Sequence, residues 1–134
     1  MKRRETLNFK VGHVGIGSQY PVTLQSMTNT DTKDTEKTLK QIRMLATEGI
    51  EIIRVALPEK EAVESFKKIC LESPLPVVAD IHFDYRLALE AIEAGASALR
   101  INPGNIGSRD KVEQVIKKAS AYQIPIRIGV NSGS

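Results

Sequence analysis

Three arginines, each set within a short apolar run, are the residues with the clearest chemical potential in this sequence. The runs are Ile53-Arg54-Val55, Leu99-Arg100-Ile101 and Ile126-Arg127-Ile128. Side chains alternate between the two faces of a strand, so packing of the apolar neighbours under helices would turn all three guanidinium groups to the opposite face. An unpaired guanidinium is costly to bury, and its planar fork suits bidentate contact with phosphate oxygens. The pattern therefore predicts a pocket for a phosphorylated or diphosphate ligand.

Further polar residues share the predicted inner face. By the same alternation they are Gln25, Asp80, His82, Asn102 and Asn131. We expect them late in their strands, at the carboxyl ends where parallel α/β folds build their binding sites. Asp80 and His82 are the candidate catalytic residues, because an acid and an imidazole on one face can orient a hydroxyl or transfer a proton. The alternative for His82 is a hydrogen-bonded structural role.

The competing interpretation of the arginines is an internal ion-pair network. Asp80 and a carboxylate from later strands would then neutralise the arginines, with the desolvation cost that such networks carry. Three inward arginines against one inward acid leave positive charge uncompensated, which favours an anionic ligand. The turn-forming segment 102–107 directly precedes a predicted helix, where free backbone amides attract anions.

Short β-branched runs alternate with amphipathic stretches along the chain, which is typical of parallel βαβ units. The five predicted strands are Val22–Met27, Glu51–Leu57, Pro76–Ile81, Ala98–Asn102 and Pro125–Asn131. The predicted helices are 34–48, a second opening at Pro58 and running through Cys70, a third from about Asp84 to Gly95, and a fourth from Ser108 that buries Val112, Val115, Ile116 and Ala119. Residues 7–17 contain three glycines and predict a small hairpin.

A repeat of about 25 residues per strand and helix matches the (β/α)₈ barrel. The predicted fold class is therefore α/β: a partial (β/α)₈ TIM barrel, with about five parallel strands and four helices after a short N-terminal hairpin. We expect residues 1–134 to form an incomplete N-terminal barrel domain. An open doubly wound sheet is disfavoured because no glycine-rich turn joins a strand to a helix.

Composition narrows the class of protein further. The chain has 134 residues, of which 26% are charged and 41% hydrophobic, as in ordinary globular domains. The small net charge of +3 argues against a nucleic-acid partner, and the sequence lacks a run long enough for a membrane span, so we expect a cytoplasmic protein. The single cysteine, Cys70, lies on an apolar helical stripe and predicts a core thiol, with no metal site on this chain.

Four longer motifs resemble those of the 4-hydroxy-3-methylbut-2-enyl diphosphate synthases. They are QSMTNT at 25–30, VADIHFDYR at 78–86, LRINPGNIG at 99–107 and PIRIGVNSGS at 125–134. The resemblance covers nearly the whole chain and implies an oxidoreductase of the methylerythritol phosphate route of isoprenoid (terpenoid) biosynthesis. Such enzymes reductively open 2-C-methyl-D-erythritol 2,4-cyclodiphosphate.

The resemblance also implies cofactors, partners and residue roles. A [4Fe-4S] cluster would lie in a separate C-terminal domain, absent from this chain, with ferredoxin or flavodoxin as electron donor and a homodimer as the complete enzyme. Carried over by motif, Arg54, Arg100 and Arg127 would hold the diphosphate, with Asn102 and Asn131 nearby and Asp80 and His82 lining the pocket. Without cluster ligands, we expect the isolated chain to be inactive.

Two alternatives remain open at this stage. One is a barrel fragment that binds a phosphorylated pterin, as dihydropteroate synthases do. The other is a non-catalytic half-barrel that serves in binding or assembly.

Overall fold

The amino-terminal segment forms the predicted hairpin. The computed structural model describes residues 2–130 and residue 132. Strand β1 (Phe9–Val11) pairs antiparallel with β2 (Val14–Ile16). Gly12 lies in the turn with a φ of +60°, in the left-handed region that favours glycine.

Five parallel strands form the main sheet. They are β3 (Gln25–Met27), β4 (Ile52–Ala56), β5 (Val77–Asp80), β6 (Ala98–Ile101) and β7 (Ile126–Ile128). Their spatial order is β3-β4-β5-β6-β7, so each strand lies beside its predecessor. This sequential order fits a barrel wall and excludes, for the described strands, the reversal that defines a doubly wound sheet. The strands are shorter than predicted: β3 begins at Gln25, and Val22 is 80% exposed outside the ladder.

Four helices connect the five strands. They are α1 (Thr35–Thr47), α2 (Val63–Glu72), α3 (Tyr85–Ala94) and α4 (Arg109–Ala121). The Asp84 carboxylate caps α3 by accepting from the backbone N–H of Arg86, and Gly95 ends that helix at a φ of +104°. The prediction that the second helix opens at Pro58 was wrong. The backbone is extended at Glu59, so helical turns start only with a 3₁₀ segment at Lys60–Ala62.

The helices cover the outer face of the sheet. Strand residues on that face and the helix residues packed on them are fully buried: Ile53, Val55, Ala79, Leu99, Ile101, Leu39, Ile42, Phe66 and Ile69. Helix α4 packs through Val115 and Ala119, four residues apart on one face. Ile116 was predicted in this core but is 50% exposed, because one residue further along a helix rotates the side chain by about 100°.

The hairpin covers part of the inner face. Val11 of β1 packs on Ile52, Val78 and Ala98, which lie at or near the amino ends of β4, β5 and β6. A cavity of about 410 Å³ lies beside this cluster. The inner face is therefore apolar at the amino ends of β4, β5 and β6, whereas polar side chains occupy the carboxyl ends of these strands.

None of the helices described for this chain is long and apolar enough to cross a lipid bilayer.

Candidate functional site

A buried carboxylate at the end of β5 is the centre of the polar cluster. Only 1% of the Asp80 side chain is exposed. Its Oδ1 lies 3.0 Å from Nη2 of Arg54 and 3.7 Å from Nη1 of Arg100. Its Oδ2 lies 3.1 Å from Nε2 of His82. One carboxylate thus contacts two guanidinium groups and an imidazole.

Sheet register explains why these side chains meet. Asp80 pairs directly with Arg100 on β6 and with Ala56 on β4, which places Arg54 two residues back on the same face. The apolar neighbours of both arginines are buried on the opposite face: Ile53, Val55, Leu99 and Ile101. The predicted orientation of Arg54 and Arg100 is therefore the observed one.

The cluster retains hydrogen-bonding capacity. Both Asp80 oxygens, Nε of Arg54 and Nδ2 of Asn102 are buried without a hydrogen-bond partner among the described residues. The contacts to Asp80 are short enough for strong Coulomb attraction, but they do not have the geometry of directional hydrogen bonds. Leaving the two buried donors, Nε of Arg54 and Nδ2 of Asn102, unsatisfied costs about 1–3 kcal/mol each, which acceptor oxygens of a ligand would offset.

Asn102 follows β6 and shapes the next loop. It is 2% exposed, and its Oδ1 accepts from the backbone N–H of Gly104 at 3.1 Å. The side-chain oxygen is therefore used by the turn, while the amide nitrogen is left for another acceptor. The loop leads into α4 at Ser108, whose side chain makes no capping hydrogen bond.

Arg127 and Gln25 lie apart from the Asp80 contacts. Arg127 pairs with Arg100 across β6 and β7, so it belongs to the inner face, but its side chain is exposed. Both Arg127 and Gln25 line the cavity at the amino ends of the strands. Gln25 was expected late in its strand and instead begins β3, because sheet pairing starts there. Asn131 lies outside the described residues.

His82 is positioned by the residue two before it. Its side chain is 46% exposed beside the buried Asp80, and its ring centroid lies 6.2 Å from that of Phe83. An accessible imidazole held by a carboxylate can exchange protons with a ligand.

Sequence reasoning missed Gly129 as a site residue. A Cβ at this position would lie 2.6 Å from Nε and 2.7 Å from Cζ of Arg100. The signal was available, because Gly129 is two residues after Arg127 and so shares its face.

Cys70 has the core role that the sequence predicts. It packs against the outer-face core, and burial raises the pKa of its thiol to about 12. A [4Fe-4S] cluster requires several thiolates, and this chain has one cysteine. No group of three His, Cys, Asp or Glu side chains suited to a metal occurs in the part of the chain that the structure describes. The residues present therefore do not fit the cluster.

Sequential parallel strands, helices on the outer face and a charged cluster at the strand ends define a protein of the TIM-barrel class. The chain belongs to the GcpE TIM-barrel domain family, which matches residues 6–134.

Two similar proteins carry the same name. The chain is 59% identical over 133 residues to a 4-hydroxy-3-methylbut-2-en-1-yl diphosphate synthase (flavodoxin) of Natranaerobius thermophilus, covering 99% of this chain and 37% of that protein. It is 60% identical over 134 residues to the protein of the same name from Clostridium acetobutylicum, covering 100% and 38%. The chain thus spans less than two fifths of the length of these relatives.

Solved structures support the fold alone. A Xanthomonas albilineans dihydropteroate synthase matches with a TM-score of 0.64 at 14% identity, over 94% of this chain and 50% of that one. A Thermotoga maritima phospho-2-dehydro-3-deoxyheptonate aldolase matches with a TM-score of 0.62 at 17% identity, over 91% and 36%.

Proposed function

We propose that this chain forms the diphosphate-binding part of a 4-hydroxy-3-methylbut-2-en-1-yl diphosphate synthase. In the complete enzyme it would bind 2-C-methyl-D-erythritol 2,4-cyclodiphosphate for reductive ring opening. The observation that carries the proposal is the charge imbalance at the strand ends. Arg54, Arg100 and Arg127 share the inner face with Asp80, the one carboxylate that contacts any of them among the described residues. A diphosphate supplies the missing negative charge.

Each side chain has a distinct task in this proposal. Arg54 and Arg100 donate to phosphate oxygens, and their partial exposure of 24% and 17% leaves room for that contact. Asp80 holds the two guanidinium groups close together. Arg127 adds positive charge from the neighbouring strand. His82 delivers a proton as water leaves, because it is accessible and held beside a carboxylate.

The redox part of the reaction belongs elsewhere in the complete enzyme. The residues of this chain do not fit an iron-sulfur cluster, so we propose that its ligands lie in a separate domain of a homodimer. The names of the relatives support flavodoxin as electron donor, with ferredoxin as the alternative. We propose that residues 1–134 are the N-terminal barrel portion and are inactive alone.

The two alternative functions gain no support. The likeness to dihydropteroate synthase is at 14% identity and reflects the shared barrel. A purely structural half-barrel does not account for the uncompensated guanidinium charge beside buried, unpartnered polar atoms.

Titration of the complete enzyme with cyclodiphosphate in a calorimeter tests the proposal. We expect Arg100→Ala to weaken binding about ten-fold or more, since a hydrogen bond to a charged group contributes about 1.5–3 kcal/mol. The matched control is Arg109→Ala, because the Arg109 side chain is 92% exposed and, among the described residues, pairs only with Glu113 one helical turn away. Equal affinities in wild type and Arg100→Ala would exclude the diphosphate site.

A further inference from the structure

We propose that Gly129 is a positioning residue for Arg100. The absence of a side chain at this point lets the guanidinium lie against the backbone that follows β7. This inference rests on the proposed function, because it concerns how one guanidinium of the diphosphate site is held.

Gly129 extends the ladder between β6 and β7. Its backbone N–H donates to the carbonyl of Ile101 at 2.9 Å, one residue beyond the last strand pair. Being two residues after Arg127, it occupies the next inward position on that strand. Arg100, on the neighbouring strand β6, therefore contacts the backbone of Gly129, at a point where any residue other than glycine would place a side chain.

The available space is too small for a Cβ atom. A Cβ on Gly129 would lie 2.6 Å from Nε and 2.7 Å from Cζ of Arg100, well inside the usual contact distance between such atoms. The three nearest atoms to that Cβ all belong to the Arg100 guanidinium group. A substitution must therefore displace this group.

Glycine is needed here for space and not for backbone conformation. The φ of Gly129 lies outside the left-handed region, so alanine fits the backbone without strain. The group that must move is the end of a flexible side chain rather than a strand. Gly129→Ala should consequently leave the fold intact while changing where Arg100 points.

Displacement of Arg100 would separate it from Arg54. The two guanidinium groups now approach the same oxygen of Asp80, at 3.7 Å and 3.0 Å. Adjacent guanidinium groups can bind one diphosphate together, and moving one of them removes this preorganisation. Gly129 thus acts on the ligand through Arg100.

A double-mutant cycle in the complete enzyme tests the inference. Cyclodiphosphate affinity is measured by calorimetry for wild type, Gly129→Ala, Arg100→Ala and the double variant. We expect Gly129→Ala to weaken binding about ten-fold, approaching the effect of Arg100→Ala, and to cause little further loss once Arg100 is alanine. Thermal unfolding midpoints of wild type and Gly129→Ala should agree.

The outcomes separate the two proposals. Unchanged affinity in Arg100→Ala would overturn the proposed function. A loss in Arg100→Ala with unchanged affinity in Gly129→Ala would overturn only the positioning role, as would a loss that Gly129→Ala causes equally with and without Arg100. Ile128→Val serves as the control for disturbance of β7, because Ile128 is the adjacent residue on the other face and is 59% exposed. It should bind like wild type.

Discussion

Oδ1 of Asp80 lies 3.0 Å from Nη2 of Arg54, joining the last residue of β5 to the middle of β4 through a carboxylate that is 1% exposed. The same oxygen also faces Arg100 at 3.7 Å. One negative charge therefore supports two positive ones without neutralising both. This arrangement holds guanidinium groups in place at the end of a sheet and still leaves them attractive to an anion.

Removal of the Asp80 charge should destabilise the protein. We expect Asp80→Asn to lower the free energy of unfolding by about 3 kcal/mol, the lower end for a broken buried pair, because both arginines are partly exposed. Pyrophosphate should recover more stability in this variant than in wild type, since it replaces the lost negative charge. Thermal unfolding with and without pyrophosphate measures both effects. Equal recovery in the two proteins would contradict an anion site at these arginines.

Arg127 should affect ligand affinity without affecting stability. It has no ion pair among the described residues, so Arg127→Ala breaks no internal contact of that kind. We expect cyclodiphosphate affinity in the complete enzyme to fall about ten-fold, as for loss of one charged hydrogen bond, with an unchanged unfolding midpoint. Calorimetric titration beside Arg109→Ala provides the comparison. If Arg127→Ala binds cyclodiphosphate as tightly as wild type does, Arg127 lies outside the diphosphate site.

The thiol of Cys70 should be unreactive in the native protein. Burial raises its pKa from the ordinary 9.0 to about 12, and the thiolate is the reactive form. Alkylation by iodoacetamide at pH 9 should be slow in the folded chain and fast after denaturation. Similar rates in both states would show that the thiol is accessible.

The same shift predicts a dependence of stability on pH. The native thiol stays protonated while the unfolded one ionises above pH 9, so its contribution is complete below pH 9 and is lost as the pH rises towards 12. Comparison of unfolding free energies for wild type and Cys70→Ala should show a steeper loss in wild type across this range. Parallel curves of unfolding free energy against pH for the two proteins would rule out the raised pKa of Cys70.

The outer-face core should depend strongly on Phe66. Phe66 in α2 is fully buried, so Phe66→Ala should cost about 3–5 kcal/mol through lost burial and the cavity it leaves. Leu71 lies on the same helix and is 83% exposed, so Leu71→Ala should change stability by less than about 0.5 kcal/mol. Chemical denaturation of both variants measures the contrast, and similar losses would show that this helix packs differently.

Much of the architecture was predictable from local pattern. The alternation of apolar and polar residues around Arg54 and Arg100 predicts the orientation of both side chains. The apolar residues on either side of each arginine must face the helices, whichever strands lie next to theirs in the sheet. The two ends of α3, at Asp84 and Gly95, were also predicted, because capping depends on the residues at the helix end itself. The errors fell at Pro58, where an extended residue delays the helix, and at Ile116, where one position of helical rotation separates core from solvent.

The sequence by itself determined that Arg54 and Arg100 face inward and which class of fold carries them, because periodicity and residue type are properties of each segment alone. Only the tertiary structure decided that Asp80 contacts both Arg54 and Arg100, that Gln25 lines the cavity at the amino ends of the strands, and that Gly129 leaves space for a guanidinium group. These relations depend on the register between strands far apart in the chain. Register is set by packing of the whole sheet against its helices, which no single segment encodes.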